Sequence, residues 1–370
     1  MSQASYPTTL FNDHYHAAYR YVSDYTAYAL QRMLMSHGVR LDKGASLSQI
    51  VQTLGCQPPF EGHVKWVLAF MAQQGVVWQD HEKRWIGKSL TRPVRPKTIA
   101  HVHIEPSIRL IDHVCEHWPN VINGKQRALQ VLFGNTNENG ESLWESYFCN
   151  SHDLYAVHNQ WAAEHCASLA ARMDVAKCGP RVLELGTGFG SAARALLAEY
   201  LLQGLPLRHL MLSDISPALA TRVQRELQPC HEQMDITSCK LDINRIDPDL
   251  DPNYDVVLAV NVAHCASHIR ESLAGLKKLL RPGGRLVLSE CVRIDDTTRL
   301  HQEFIFSLLP HFSPIPSTPV LNSDPSVPCF GFLKASDWEE ALKGAGYSDV
   351  QVHINEGEQV CGALITGTNK

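Results

Sequence analysis

The run Val182-Leu183-Glu184-Leu185-Gly186-Thr187-Gly188-Phe189-Gly190 constrains this chain more than any other segment. Strand-compatible residues lead into three glycines at alternate positions, and a helix-forming stretch opens near Ser191. The pattern reads as a short buried strand, an abrupt turn and a helix. Glycines 186, 188 and 190 permit backbone conformations and close approach that other residues do not. A ligand can therefore rest against the turn and the helix N-terminus. A plain strand-to-helix turn with no ligand would use the same residues. The choice between the two rests on the acidic Glu184 inside an apolar strand and on the residues downstream of the turn.

Beyond Ser191 the chain alternates between strands and helices. The spacing predicts strands over Arg181–Leu185, Leu210–Ser213, Cys239–Asp242, Val256–Val260 and Arg285–Leu288, with helices over Ser191–Gln203, Pro217–Leu227 and Ile269–Leu279 between them. This rhythm implies a mostly parallel sheet covered on both faces. A proline-rich, less regular stretch from about Leu300 to Phe330 is long for a simple connection and reads as a partial lid. A helix over Trp338–Ala345 and strands over Val350–Ile354 and Gly362–Ile365 close the chain.

The first half is helical. Tyr19–His37, Ser46–Leu54 and Val64–Gln74 predict helices, and Gly75–Trp78 with Arg84–Ile86 a hairpin, together resembling a winged helix. That shape often binds DNA, but Val64–Gln74 carries only Lys65 as a charge, and the whole chain has a net charge of -5. A scaffold, a dimerisation surface or a wall of a substrate site suits it better, and no nucleic-acid partner is expected. Leu110–Trp118, Lys125–Leu132 and Asp153–Met173 predict further helices around a polar Gly134–Gly140 loop. The division expected is a winged-helix-like module over 1–95, a helical lid or linker over 96–178 and a catalytic domain over 179–370. Trp144, Tyr147, Phe148 and Tyr155 gather near the second boundary, either as a packing seam or facing a ligand.

Eleven cysteines show no paired spacing and read as small apolar residues of a reducing compartment. Neither a secretory leader nor a membrane-length apolar run is visible, so a cytoplasmic protein with no membrane partner is expected. His264 and His268 stand at i,i+4 spacing without the glutamate or third ligand of a zinc site, and no metal is expected.

In open α/β sheets ligands bind beyond the carboxyl ends of the strands. Asp214, at the end of the second strand, suits the two hydroxyls of a ribose, or a helix cap before Pro217. Asp242 and Ile243, at the end of the third, suit the amino group and the face of an adenine. Buried Glu184 needs a backbone donor, a ligand or a water as partner. The fourth strand delivers Asn261 and His264 to the cleft, and the fifth delivers Glu290. Adjacent strands would let Glu290 fix the tautomer of His264 and leave its other nitrogen as a general base. A helix-capping histidine and a surface ion pair would give the same spacing.

These segments together resemble the class I S-adenosylmethionine-dependent methyltransferases, and most closely the C-methyltransferase domains of polyketide synthases and hybrid assembly lines. The resemblance is carried by Val182–Gly190, Asp214, Leu241-Asp242-Ile243, Asn261-Val262-Ala263-His264-Cys265 and Leu279–Glu290, with Leu143–Tyr147 and Asn159 upstream. It implies an α/β, Rossmann-like methyltransferase sheet with S-adenosyl-L-methionine as cofactor. Glu184, Gly186, Gly188, Asp214, Ile215, Asp242, Ile243 and Asn261 would hold that cofactor, and Trp144, Tyr147 and Tyr155 would form a substrate wall or lid. His264 and Glu290 would remove a proton from the α-carbon of a β-ketoacyl thioester on an acyl carrier protein. Ala263, Cys265 and Phe189 depart from the family's usual residues. N- or O-methylation of a small secondary metabolite stands as an alternative. So does cyclisation of the cofactor to azetidine-2-carboxylate with release of methylthioadenosine. A homodimer is compatible with each.

Overall fold

The computed structural model describes residues 9–134, 142–172, 179–231, 234–247, 250–312, 331–355, 357 and 359–370. The expected 134–140 loop, the end of the 153–173 helix and most of the 310–330 stretch lie outside the described residues.

The N-terminal part begins with α1 (Asp13–Ser36), α2 (Leu47–Thr53) and α3 (Glu61–Gln73), followed by the antiparallel ribbon β1 (Val77–Gln79) and β2 (Trp85–Gly87). A bridge from Ala45 to Trp85 adds a third strand position. The arrangement is that of a winged helix. Helix α2 starts where Ser46 and Gln49 cap each other reciprocally, satisfying two otherwise orphaned N–H groups. Helix α3 buries Val64, Trp66, Val67, Leu68, Phe70 and Met71. Most of this helix is therefore packed against the rest of the protein.

Next come α4 (Glu105–Ile122), α5 (Ala128–Phe133), α6 (Leu143–Tyr147) and α7 (Asp153–Ala170). The short α6 was not predicted. It starts at Ser142, whose hydroxyl accepts from the Glu145 amide.

The C-terminal half holds β3 (Arg181–Leu185), α8 (Ser191–Leu202), β4 (His209–Asp214), α9 (Pro217–Leu227), β5 (Asp235–Lys240), β6 (Tyr254–Val260), α10 (Ile269–Leu279) and β7 (Leu280–Cys291). After them come α11 (Gln302–Phe306), α12 (Ala335–Gly344), β8 (Ser348–Ile354) and β9 (Gly362–Thr368). The seven strands lie in the order β5-β4-β3-β6-β7-β9-β8, with β9 antiparallel to both neighbours and the rest parallel. The order reverses between β3 and β6, so the crevice of this sheet opens at their carboxyl ends.

Alternation along the strands divides the core. Val182, Val256, Leu258 and Val287 join a cluster that extends without a break through α7, α4 and α1 to Phe11. Leu183, Leu185, Val257, Ala259, Leu286 and Leu288 face the other way, onto α10 and α12. Both faces are therefore apolar, and the strands read as continuous rather than alternating runs. One core spans all three expected segments.

One predicted strand is displaced. The third parallel strand runs Asp235–Lys240, not Cys239–Asp242, so Asp242 and Ile243 lie beyond its end. Asp242 instead makes an isolated bridge with Arg245 and accepts from the Asn244 amide at 2.9 Å. Polar Thr237 and Ser238 hid the strand from a hydrophobicity argument: this is the sheet's edge, where burial is incomplete.

Candidate active site

The glycine turn requires its glycines for two different reasons. Gly186 has φ +66°, and a β-carbon there would stand 2.5 Å from a methyl of Val262. Gly190, at φ +80°, is the N-cap of α8, where a β-carbon would strike Val223 at 2.6 Å. Both positions combine a left-handed backbone with close packing. Gly188 stays open, and its amide donates to the Asp214 carboxylate at 2.9 Å.

Glu184 braces the turn from below. Its carboxylate accepts from the Thr187 hydroxyl at 3.1 Å and from the Ala193 amide in the first turn of α8 at 3.0 Å. Burial raises its pKa to about 8, partly offset by those two bonds and reinforced by nearby Asp214. The backbone donor that a buried carboxylate demands is thus Ala193. Asp214 ends β4 and accepts from Gly188 and from the Ser216 amide at 2.8 Å. Each of its oxygens keeps acceptor capacity for a ligand hydroxyl. Ile215 beside it is 64% exposed, whereas Ile243 is packed into the core against the opposite face of the sheet.

Above the turn lies a cavity of about 140 Å³. Glu184, Gly186, Gly188 and Asn261 line it, and Trp144, Phe148 and Tyr155 close it. Two bonds fix this aromatic wall: the Ser191 hydroxyl donates to the Phe148 carbonyl at 2.6 Å, and the Asn150 amide to the Ser191 carbonyl at 2.8 Å. Ser191 opens α8, so the wall is tied to the glycine turn itself. Asp214, Ile215, Asp242 and Ile243 do not line the cavity.

A second, water-sized cavity of about 20 Å³ shares Phe148, Tyr155 and Asn261 with the first. Tyr147, His152, Leu154, His158, Cys291, His301, Gln302, Phe306 and Phe332 complete it. Asn261 stands where the two meet. It has φ +51°, a left-handed conformation that asparagine tolerates better than most residues. Its side-chain oxygen accepts from the Cys291 amide at 2.7 Å, so its NH₂ faces the junction. That nitrogen is buried and has no protein partner. A buried donor in this state calls for an acceptor on a ligand or water.

His264 occupies a short turn after β6 and is 4% exposed. Its Nδ1 lies 2.6 Å from Oε2 of Glu290, while Oε1 of Glu290 accepts from the Val262 and Ala263 amides at 3.0 and 2.7 Å. The two residues expected to meet from neighbouring strands do meet. A carboxylate holding two backbone amides assigns the third bond as Nδ1–H donating, which leaves Nε2 as the basic nitrogen. The histidine ring packs against Phe332 at 4.8 Å and Phe306 at 6.3 Å, both rings of the second cavity. It borders that cavity through them and is not itself among the lining side chains.

Burial opposes charge on His264, but Cys265 and the Glu290 carboxylate outweigh it and raise the pKa to about 10. A base acts in its neutral form, so turnover is expected to climb with pH from the ordinary histidine range toward about 10. Glu290→Gln removes the charge that holds the proton, and the limb should move to lower pH. A pH–rate profile of both proteins checks this; an unshifted limb in the variant would show that another group titrates.

Sequence reasoning missed His152, His158, His301 and Gln302, because scattered histidines carry no spacing signal. Of Trp144, Tyr147 and Tyr155, the first faces the turn cavity, the second the neighbouring cavity and the third both. One His–Glu–His group, His113, Glu116 and His117 on α4, places ligand-type atoms within 4.8 Å of one another among the described residues, and it lines neither cavity.

A strand–glycine turn–helix unit at the switch point and an antiparallel β9 mark one fold class, and the methyltransferase domain model matches residues 183–286. The chain carries a class I methyltransferase domain. Around this methyltransferase the likeness extends further. The structure of the citrinin polyketide synthase CMeT domain superposes with a TM-score of 0.71 over 100% of both chains at 17% identity. The trans-methyltransferase CalH in complex with SAH superposes with a TM-score of 0.63 over 94% of this chain and 90% of that one at 20% identity. Highly reducing polyketide synthase 40 of Fusarium mangiferae is 25% identical over 249 residues, 66% of this chain and 9% of its own length. The methyltransferase thus spans less than a tenth of that relative. Among the described residues no helix is long and apolar enough to cross a membrane.

Proposed function

We propose that this chain is an S-adenosylmethionine-dependent C-methyltransferase acting on a polyketide-type β-carbonyl acyl thioester held by an acyl carrier protein. The observation that carries the reading is the buried Nδ1–carboxylate bond of His264 and Glu290, at the end of the strands that border the glycine-turn cavity. Polyketide synthases among the relatives support the substrate class and, with it, a carrier as partner.

The turn cavity fits the cofactor. Its aromatic wall of Trp144, Phe148 and Tyr155 suits a sulfonium, and the orphaned Asn261 donor suits a carbonyl or carboxylate oxygen. Gly186 and Gly188 would admit the cofactor's backbone-facing edge, with Glu184 bracing them and Asp214 offering acceptors to the ribose. When bound, the cofactor supplies an electrophilic methyl group. The chain's own residues do the rest. His264 Nε2 takes the proton from the α-carbon, and Glu290 offsets the charge that the ring acquires. The phenylalanine and tyrosine walls exclude water, which would otherwise quench the carbanion.

Incubating the protein with S-adenosylmethionine and a β-ketoacyl carrier thioester should yield S-adenosylhomocysteine and an α-methylated acyl chain by mass spectrometry. Methylthioadenosine formed without any acyl substrate would overturn the reading in favour of cofactor cyclisation. Asp214→Ala should weaken S-adenosylmethionine binding by about 1.5–3 kcal/mol, because bonds to a charged acceptor are lost and the Gly188 amide is released. Calorimetry checks it; unchanged affinity in the folded variant would remove Asp214 from the cofactor site.

A further inference from the structure

Helix α4 carries a group of side chains that neither cavity uses. His113 and His117 stand one helical turn apart on the same face, with ring centroids 4.6 Å apart. Glu116 precedes the second of them, and one ligand-type atom from each of the three residues lies within 4.8 Å of the others. Both imidazoles are half-buried, whereas the glutamate is exposed. None of the three lines the glycine-turn cavity or its neighbour.

Each ring is held from behind. Nε2 of His113 lies 2.9 Å from the Val131 carbonyl, which can only accept. In the neutral ring that nitrogen therefore carries the proton, and Nδ1 is the basic one. Nδ1 of His117 lies 3.1 Å from Oε1 of Gln126, which can take its proton and set Nε2 as the basic nitrogen. A histidine that ligates a metal through one nitrogen characteristically gives its other N–H to a carbonyl or carboxylate, which fixes the ring and raises its basicity. Both rings have such a partner, and both partners belong to the corner between α4 and α5.

We infer that His113, Glu116 and His117 form a binding site for one divalent transition-metal ion of the zinc type, with water completing its coordination. Two imidazole nitrogens and a carboxylate oxygen suit zinc and its first-row neighbours, whereas calcium and magnesium require shells of oxygen. The ion takes no part in methyl transfer, because its ligands line neither cavity; its effect is structural. It strengthens the bonds from the two imidazoles to Val131 and Gln126 and so holds α5 against α4. Phe133, at the end of α5, meets Trp144 edge-on at 5.1 Å, and Trp144 closes the glycine-turn cavity. Occupancy thereby steadies the aromatic wall from outside.

The test titrates Zn²⁺ into the full chain, free of any histidine tag and stripped with a chelator, and follows binding by calorimetry. The native protein should take up one ion at a saturable site. His117→Ala should abolish that site and Glu116→Gln should weaken it. Gln126→Ala, which removes no ligand, should weaken it by about 10- to 100-fold. Zn²⁺ should also raise the unfolding midpoint of the native chain and leave that of His117→Ala unmoved, since the site exists only in the folded form. Circular dichroism reports whether each variant folds. Should His117→Ala fail to fold, the exposed Glu116→Gln decides alone, and unchanged affinity there would overturn the inference. So would the lack of saturable one-to-one binding in the native protein. Native affinity in a folded His117→Ala would overturn it as well and assign the ion to another group among the nineteen histidines.

Discussion

Replacing His264 with alanine is expected to lower single-turnover methyl transfer about 10²–10⁴-fold, the usual contribution of a positioned base, while leaving S-adenosylmethionine affinity near its native value. The separation follows from the architecture. His264 sits just beyond β6, packed on Phe306 and Phe332, Glu290 stands near the end of β7, and His264 lines neither the glycine-turn cavity nor its neighbour. Glu290→Gln should cost less, because the Val262 and Ala263 amides can still bond its side-chain oxygen and the shape persists. Rapid-quench methyl transfer together with calorimetric binding checks both variants. Near-native chemistry in His264→Ala would sink the proton-transfer role. An acceptor that needs only proximity, or attack by the cofactor's own amine, would then be favoured.

Glu303→Ala is expected to destabilise the protein by about 3–5 kcal/mol, the range for breaking a buried ion pair from one side. Glu303 lies on α11 and is fully buried. It pairs with the guanidinium of Arg293 and also accepts from the Trp66 indole at 2.8 Å and the Leu300 amide at 3.1 Å. Burial raises its pKa, against the pull of Arg293, Trp66 and Leu300. Trp66 belongs to α3, so this cluster latches the winged-helix part to the helix that carries Gln302 and Phe306 into the second cavity. His63 adds to the latch through the Ser307 carbonyl at 3.0 Å, and Gln73 exchanges two bonds with Arg299. Denaturant melts should show the loss as a lower midpoint with an unchanged slope. A loss under about 1 kcal/mol, the scale of an exposed pair, would mean that the latch is not closed in solution.

The latch gives the N-terminal part a structural reason to exist. Its helices bury Trp66 and its neighbours against the segment that carries α11. The same packing brings Tyr19 and Ser23, far away in sequence, to Gln302 and His301.

The parallel strands around the switch point were legible because continuous apolar runs between helices have few other ways to be buried. The glycine turn was legible because three glycines at alternate positions are a poor choice for anything but a tight backbone. Asp214, His264 and Glu290 followed from placing polar residues at strand ends. Edge strand β5 was misplaced because Thr237 and Ser238 obscure its pattern, and α6 and α11 are too short to show a helical period.

Sequence alone therefore determined the sheet, its turn and the order in which reactive side chains reach the cleft, since each is a local or periodic property of the chain. It also placed Asn261, but not the fate of its amide group. Only the tertiary structure decided that Cys291 turns that amide into a buried donor, that His264 and Glu290 share one bond, and that His301 meets Ser23. Each of those depends on which group the opposite side of the ring or amide happens to meet. The partner can lie hundreds of residues away, as Ser23 does from His301, and no spacing in the sequence records it.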